Sequence, residues 1–229
     1  MTELAALTSP EAGELATAGA LLAVPVGATE QHGPHLPLST DTDLAVALCA
    51  RLAAARPGVL AAPPLAYGAS GEHEGFPGTI SIGSAALRLL LVELVRSATR
   101  TFSRVVLVCG HAGNIDGVAA ALSRLRYERR DVASWFGAVP AGDAHAGRTE
   151  TSLLLAIAPS LVRPGPWQAG VTAPLGQLMP ALRASGVRQI SPNGVLGDPA
   201  GATPGEGERL LDLFTVRLAE LLPLSRQPV

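Results

Sequence analysis

The sequence predicts an α/β fold with a mostly parallel central sheet that helices cover on both faces. Short apolar runs typical of buried strands alternate along the chain with helical patterns. No repeat, linker or low-complexity run divides the 229 residues, and this length is ample for one sizeable core. We therefore expect a single domain over residues 1–229.

Four strands are predicted from apolar runs bounded by turn residues. They are "ALLAVPVGA" (20–28), "GVLAAPPLAYG" (58–68), "RVVLVCG" (104–110) and "DVASWFGAVP" (131–140). The third run is β-branched and uniformly apolar, which is typical of a strand buried on both faces.

Helical patterns follow each of these runs. Asp41 or Thr42 is a suitable N-cap for a helix through 43–57, and Ser84 for a helix reaching about Thr101. Thr203 as N-cap with Pro204 at the first helical position predicts a closing helix that ends near 222. Further helices are predicted from about 115 to 128, after the loop at 143–150, and at 174–184.

Composition excludes several classes of partner and of chemistry. The chain is 48% hydrophobic and 16% charged with a formal net charge of −2, which favours a globular protein and indicates neither nucleic acid nor an anionic membrane as a partner. The acidic N-terminal stretch lacks the basic region of a signal peptide, and charged residues interrupt the apolar stretch "ALRLLLVELV", so we expect a cytoplasmic protein without a membrane span. All 17 basic residues are arginine, which excludes Schiff-base lysines and a P-loop lysine.

All five histidines fall in loops that follow predicted strands: His32, His35, His73, His111 and His145. The carboxyl ends of parallel strands meet at one edge of a sheet, where ligands bind. We therefore expect the loops at 30–43, 67–79, 111–114 and 143–150 to lie together.

The loop "GATEQHGPHLPLSTDTD" (27–43) combines imidazole with carboxylate groups, which suits Zn²⁺, Mn²⁺ or Fe²⁺. Glu30 and His32 are two residues apart and can point the same way. Asp41 can swing back and bridge two metals, which lie about 3.5–4 Å apart in hydrolytic pairs. Asp41 as a plain N-cap is the alternative, and Asp43 fits the electrostatics of a helix N-terminus.

This loop and "GHAGN" (110–114) resemble the creatininase family of metal-dependent amidohydrolases. The resemblance extends to "FPGT" (76–79), "HAGRTETS" (145–152) and "NGVLGDP" (193–199). It implies a three-layer α/β/α sandwich, two divalent metal ions (Zn, Fe or Mn) and a homo-oligomer with sites near subunit contacts.

The resemblance also implies roles for individual residues. Glu30 and His111 would hold one metal, His32 the other, with Asp41 bridging and His145 acting as the acid near the leaving amine. Creatinine-hydrolysing members carry a glutamate ligand two positions after the histidine of the Gly-His pair, where this chain has Gly113. Glu150 is the candidate replacement, as catalytic group and as metal ligand, although an acid is also favoured in a first helical turn.

Substrate-binding candidates come from the same loops. Arg148 can read a carboxylate with its guanidinium fork, although a solvated surface arginine is the alternative. His73 with Glu72 or Glu74 can line the substrate pocket of its own or a neighbouring subunit. Asn114 can orient a ligand or cap the following helix.

The expected function is hydrolysis of an amide bond. The segments "HAGRTETSLL" and "SPNGVLGDPAGAT" most resemble those of the subgroup associated with mycofactocin biosynthesis. Members of that subgroup act as peptidases on a modified precursor peptide. That resemblance implies release of a product derived from the C-terminal dipeptide. An amidohydrolase of a small amide or formamide, such as a pyrimidine intermediate of flavin biosynthesis, is the alternative within the family.

Two alternatives come from other classes. A non-catalytic binding module with a structural metal is disfavoured, because structural zinc sites are usually rich in cysteine. A cysteine hydrolase built on Cys109 and His111 is disfavoured because the two residues alternate along an extended strand end.

Overall fold

The computed structural model describes residues 3–137, 139 and 142–222, and its centre is a parallel sheet. The four strands within these residues are β1 (Leu21–Val26), β2 (Val59–Ala61), β3 (Val105–Cys109) and β4 (Val132–Phe136). They are ordered β2-β1-β3-β4, and every neighbouring pair is parallel. Positions 138, 140 and 141, at the end of the fourth predicted strand and just beyond it, lie outside the described residues.

Helices cover both faces of this sheet, which confirms the predicted α/β/α sandwich. The helices are α1 (Ser9–Thr17), α2 (Thr40–Ala55), α3 (Gly83–Ala98), α4 (Ile115–Tyr127), α5 (Arg148–Ile157), α6 (Leu175–Ile190) and α7 (Pro204–Glu220). Side chains of β3 alternate between two apolar cores, as the twofold period of a strand requires. Leu107 packs with α3 and α4, whereas Val106 and Val108 pack with α2, α5 and α7.

The second strand is shorter than its apolar run predicts. It ends at Ala61, because Pro63 and Pro64 cannot donate to the ladder of hydrogen bonds. Leu65 still forms an isolated bridge with Val26, so the loop after β2 remains against the end of β1.

Several predicted helix starts are wrong by a few residues. Ser39, and not Asp41 or Thr42, is the N-cap of α2, so Asp41 lies inside the first turn. The helix α3 begins at Gly83, and Ser84 is its second residue. Thr203 does cap α7, since its hydroxyl accepts a hydrogen bond from the Glu206 amide at 3.1 Å.

Two helical segments exceed the prediction. The helix α1 was not predicted, although Glu11 accepts a hydrogen bond from the Thr8 amide at 2.7 Å, the mark of a capping box. The predicted helix at 174–184 continues to Ile190, with a kink at Gly186, whose φ is +71°. No helix among the described residues is both long and apolar enough to cross a membrane.

Candidate metal centre

The four histidine-bearing loops meet at the carboxyl edge of the sheet, as the sequence predicts. The loop after β1 carries Glu30 and His32 and leads into α2 with Asp41. His111 follows β3 directly, and His145 precedes α5. All five side chains are buried, with at most 7% of any residue exposed.

Glu30, Asp41 and His111 form a first group of possible ligands. Glu30 Oε2 lies 3.0 Å from His111 Nε2, and Asp41 Oδ2 lies 3.3 Å from His111 Nδ1. One ligand atom from each residue lies within 4.8 Å of the others, which is close enough to share one metal ion.

His32, Asp41 and Glu150 form a second group that satisfies the same 4.8 Å criterion. His32 Nε2 lies 3.3 Å from Asp41 Oδ1 and 3.8 Å from Glu150 Oε2. Asp41 therefore presents one carboxylate oxygen to each group, which is the arrangement of a bridging carboxylate.

The carboxylates of this cluster fit a cationic occupant. Both Glu30 oxygens and Asp41 Oδ2 are buried and receive no hydrogen bond from the described residues. Burial raises the pKa of Glu30 well above its ordinary value, and the neighbouring Asp41 raises it further. Burial is also the main cause of the raised pKa of Asp41. Divalent cations would supply the compensating charge that buried carboxylates need.

Burial favours the neutral form of three cluster histidines, His73, His111 and His145, and neutral imidazole is the form that binds metal. Burial lowers the pKa of His111 to about 4 and that of His73 to about 3. Burial, with the nearby His32, also lowers the pKa of His145 well below its ordinary value.

Gln31 orients two of these rings, a role that the sequence analysis missed. Its side-chain Nε2 lies 2.8 Å from His73 Nδ1 and 3.0 Å from the Gly194 carbonyl. His145 Nε2 lies 2.8 Å from the backbone carbonyl of Gln31 and 3.0 Å from its side-chain Nε2. The other ring nitrogen of His145, Nδ1, lies 3.8 Å from Glu30 Oε1. The sequence did offer a sign of this role, because Gln31 lies between the two predicted ligands Glu30 and His32.

Glu150 is positioned by the turn that begins α5. Its Oε2 accepts a hydrogen bond from the Ala146 amide at 2.6 Å, and burial raises its pKa to about 7. Ala146 has a φ of +52°, an uncommon left-handed conformation for a residue other than glycine. Asp143 caps the same turn by accepting hydrogen bonds from the Arg148 and Thr149 amides. These hydrogen bonds hold the turn that presents His145 and Glu150 in its uncommon conformation.

Asn114 fastens two site loops together and is fully buried. Its Oδ1 accepts a hydrogen bond from the Ala69 amide at 2.8 Å, and its Nδ2 donates to the Gly27 carbonyl at 3.0 Å. Both polar atoms of the side chain are therefore engaged with backbone, and the side chain does not cap α4. Asn114 is not among the residues that line the cavity described next.

The cluster lies at the bottom of a cavity of about 720 Å³, a size typical of small-molecule and peptide sites. Asp41, His111, His145 and Glu150 line it together with Glu72 and His73. His73 Nε2 lies 3.3 Å from Glu30 Oε1, so His73 is part of the cluster as well as of the wall.

Arg148 and His35 lie away from the cluster. The guanidinium of Arg148 is 54% exposed, donates to Glu206 at 2.8 Å and lines a separate cavity. His35 Nε2 pairs with the Thr151 hydroxyl at 2.9 Å, and its ring lies 5.8 Å from that of Trp167. His35 thus organises its loop, and the structure separates Arg148 from the proposed reaction centre.

Cys109 belongs to the apolar core on the α3 and α4 face and is 1% exposed. Burial raises the pKa of its thiol and of the Cys49 thiol. A nucleophilic cysteine needs the opposite shift and access to substrate. The cysteine-hydrolase alternative therefore has no support in this geometry.

Comparison with known proteins shows what the chain is similar to. A family model, Creatininase (creatinine amidohydrolase), matches residues 5–222. The mycofactocin precursor peptide peptidase of Mycolicibacterium smegmatis is 56% identical over 196 residues, 83% of this chain and 79% of the relative. The protein of the same name from Mycobacterium tuberculosis H37Rv is 49% identical over 231 residues, 95% of this chain and 92% of the relative.

Solved creatininases share the fold. A structure named "Creatininase Mn" superposes with a TM-score of 0.74 at 29% identity and covers 96% of each chain. A creatininase mutant of "Zn-Zn type" superposes with a TM-score of 0.73 at 29% identity and covers 95% of each chain. Both names state that those proteins carry metal.

Proposed function

Because this chain belongs to the creatininase family and is a hydrolase of amide bonds, we propose that it is a metal-dependent peptidase. Its proposed substrate is a modified mycofactocin precursor peptide, from which it releases the product derived from the C-terminal dipeptide. The main support for metal dependence is the position of Asp41, which belongs to two groups of possible metal ligands. The identity of 56% with a peptidase of that name supports the substrate.

Two divalent ions, Zn, Fe or Mn, are the proposed cofactors. Glu30 and His111 would hold one ion, and His32 and Glu150 the other, with Asp41 between them. The donor set supports this assignment, because imidazole and carboxylate groups suit these borderline metals. Glu150 would supply the carboxylate ligand of the second ion, because Gly113 stands where creatinine-hydrolysing members carry a glutamate ligand.

A bound metal pair supplies an acidified water and polarises the carbonyl of the scissile amide. The remaining steps fall to residues of this chain. With its proton on Nε2, which lies 2.8 Å from the Gln31 carbonyl, His145 would use Nδ1 to take up the proton that the attacking water loses. That proton passes from Nδ1 to the leaving nitrogen, a transfer typically worth about 10²–10⁴-fold in rate.

The first experiment measures metal per chain in protein purified without chelator, followed by an assay on a peptide ending in the modified residues. We expect about two Zn, Fe or Mn ions per chain and loss of the terminal product on chelation. Two metals without peptide cleavage would favour a small-amide hydrolase of the same family. A folded protein without metal would contradict the whole assignment.

The role of His145 is tested by His145→Ala. We expect the variant to keep its metal and to lose about 10²–10⁴-fold in kcat. Thr17→Ala, an exposed change at the end of α1, is a control and should match the wild type. Loss of metal from His145→Ala would make His145 a ligand, as the close group of Glu30, His32 and His145 allows.

Three broader expectations are also proposals. We propose a single creatininase-like domain over residues 1–229, a cytoplasmic location and a homo-oligomeric assembly. Light scattering of the purified protein tests the assembly, and a monomer at working concentration would contradict it.

A further inference from the structure

The carboxylate of Glu72 enters the cavity next to a proposed metal ligand. Glu72 lies in a short 3₁₀ turn (Gly71–His73), and its Oε1 is 3.6 Å from His111 Nε2. Its side chain is 35% exposed, and no arginine pairs with it among the described residues. Glu72 is also absent from the close groups of possible ligands. It is therefore a carboxylate at the edge of the cluster, whose ion-pair contact among the described residues is with His111.

Gly113 leaves the space that this carboxylate uses. A Cβ at position 113 would overlap Glu72 Oε1, and also His111 Nε2 and the Ala69 carbonyl. Any side chain at this position would therefore displace Glu72 from the cluster. The glycine and the glutamate, 41 positions apart in sequence, fit each other in the fold.

The backbone that carries Glu72 is held from two sides. The Ser70 amide donates to the Ser81 hydroxyl at 2.9 Å, just before α3. On the other side, Gly186 approaches so closely that a Cβ there would lie 3.0 Å from the Glu72 carbonyl oxygen. The carboxylate is thus presented from a fixed turn.

Glu72 and His145 approach different rings of the cluster: Glu72 lies beside His111, whereas His145 packs against His32 and His73. The ring of His145 is 4.3 Å from that of His32 and 4.4 Å from that of His73, and His73 lies 6.2 Å from His111. Among the described histidines, His111 is the one at ion-pair distance from Glu72. Because His145 serves the leaving nitrogen in the proposed mechanism, Glu72 faces the acyl side of the scissile bond.

We propose that Glu72 binds the substrate by accepting a hydrogen bond from the N–H of the residue on its acyl side. An ionised carboxylate can only accept hydrogen bonds, and a peptide offers a backbone N–H at that place. A small amide without such an N–H would not use this contact. The inference rests on the proposed peptidase function and specifies which substrate atoms its cavity recognises.

The test combines a change in the protein with a change in the substrate. The values of kcat/KM are measured for wild type and Glu72→Ala, on the peptide and on an analogue with an ester oxygen in place of that N–H. Each single change should lower kcat/KM about 10- to 100-fold, the usual effect of losing a hydrogen bond to a charged group. Glu72→Ala acting on the ester analogue should have a kcat/KM only slightly lower than either single change gives, because both changes remove the same hydrogen bond.

Two further measurements separate the alternatives. Metal per chain in Glu72→Ala should equal that of wild type, and loss of metal would overturn the proposal by making Glu72 a ligand. Glu14→Ala, which removes an exposed carboxylate on α1 away from the cavity, is the control and should show no coupling to the ester.

The outcome also distinguishes the two proposals. A wild type that cleaves the peptide while Glu72→Ala is unaffected, or loses activity additively with the ester, overturns the inference alone. A wild type that binds metal and cleaves neither peptide overturns the peptidase function together with the contact that depends on it.

Discussion

Asp41 is the residue on which the proposed metal centre depends most. It is 2% exposed, yet its two oxygens face His32 and His111 at 3.3 Å each. A bridging carboxylate serves two ions, whereas each of the other proposed ligands serves one. A change at this residue should therefore affect both metals at once.

We expect Asp41→Ala to lose both metal ions and all measurable turnover, because each proposed ion loses one of its three protein ligands. Elemental analysis gives the metal per chain. Asp43→Ala is the matched control, since Asp43 accepts a hydrogen bond from the Ser39 hydroxyl at 2.7 Å and faces away from the cluster. Full metal content in Asp41→Ala would disprove the bridging assignment.

Cys49 and Cys109 should be unreactive in the folded protein, because burial raises the pKa of both thiols. We expect a colorimetric thiol reagent to modify neither cysteine until the chain unfolds, and then to modify both. Cys109→Ala should keep wild-type kcat. Rapid labelling of one thiol with loss of activity would restore the cysteine-hydrolase alternative.

Between the elements, one ion-pair network ties α3 to the end of α4. The Glu128 carboxylate accepts hydrogen bonds from Arg96 Nε at 2.9 Å and from Arg124 Nε at 2.6 Å. The Arg96 contact, followed by that of Arg124, lowers the pKa of Glu128 to about 2 from an ordinary value of 4.5. A carboxylate with a lowered pKa in the folded state adds stability above the ordinary value and loses it as pH falls toward the lowered value.

Glu128→Gln should therefore unfold at a lower temperature than wild type at pH 7. The difference in Tm should shrink as pH falls from about 4.5 to about 2, where the wild-type carboxylate becomes protonated. Glu14→Gln, which removes an exposed carboxylate on α1, is the control and should leave Tm unchanged. A Tm difference that is constant with pH would mean that the ion pair is not its cause.

Most helices and strands could be predicted from the sequence, but the residues at which they begin and end could not. The apolar run at 104–110 identified β3 because β-branched residues in an unbroken run suit a strand buried on both faces. The start of α2 was wrong because Ser39, Asp41 and Thr42 are all acceptable N-caps by local chemistry. The tertiary structure selects Ser39, since it draws Asp41 into the first turn beside the histidines.

At the scale of the whole molecule, the site and the apolar cores are separate. The two main cores lie on the faces of the sheet, whereas the candidate metal centre lies at its carboxyl edge. Metal removal should consequently spare the secondary structure while lowering stability.

We expect chelated protein to keep its far-ultraviolet circular dichroism and to lose stability. An ion present at 100 times its Kd contributes about 2.7 kcal/mol to the free energy of unfolding, so Tm should fall by several degrees. Adding back Zn²⁺ or Mn²⁺ should restore Tm, whereas Mg²⁺, which prefers oxygen ligands, should restore less. An unchanged Tm after complete removal of metal would argue against a bound pair.

The sequence by itself determined the fold class and the kind of chemistry. Strand and helix periods are local properties, and five histidines in loops after strands predict a ligand-binding edge wherever those strands become parallel neighbours. The types of ligand, imidazole and carboxylate, are likewise carried by the residues alone.

Only the tertiary structure decided which of these groups meet. Local patterns could not show that Asp41 faces two imidazoles, that Arg148 pairs with Glu206 outside the cavity, or that Glu72 occupies the space beside Gly113. The physical reason is distance along the chain. Residues that lie tens of positions apart become neighbours only through the packing of four loops at one sheet edge, which no local period records.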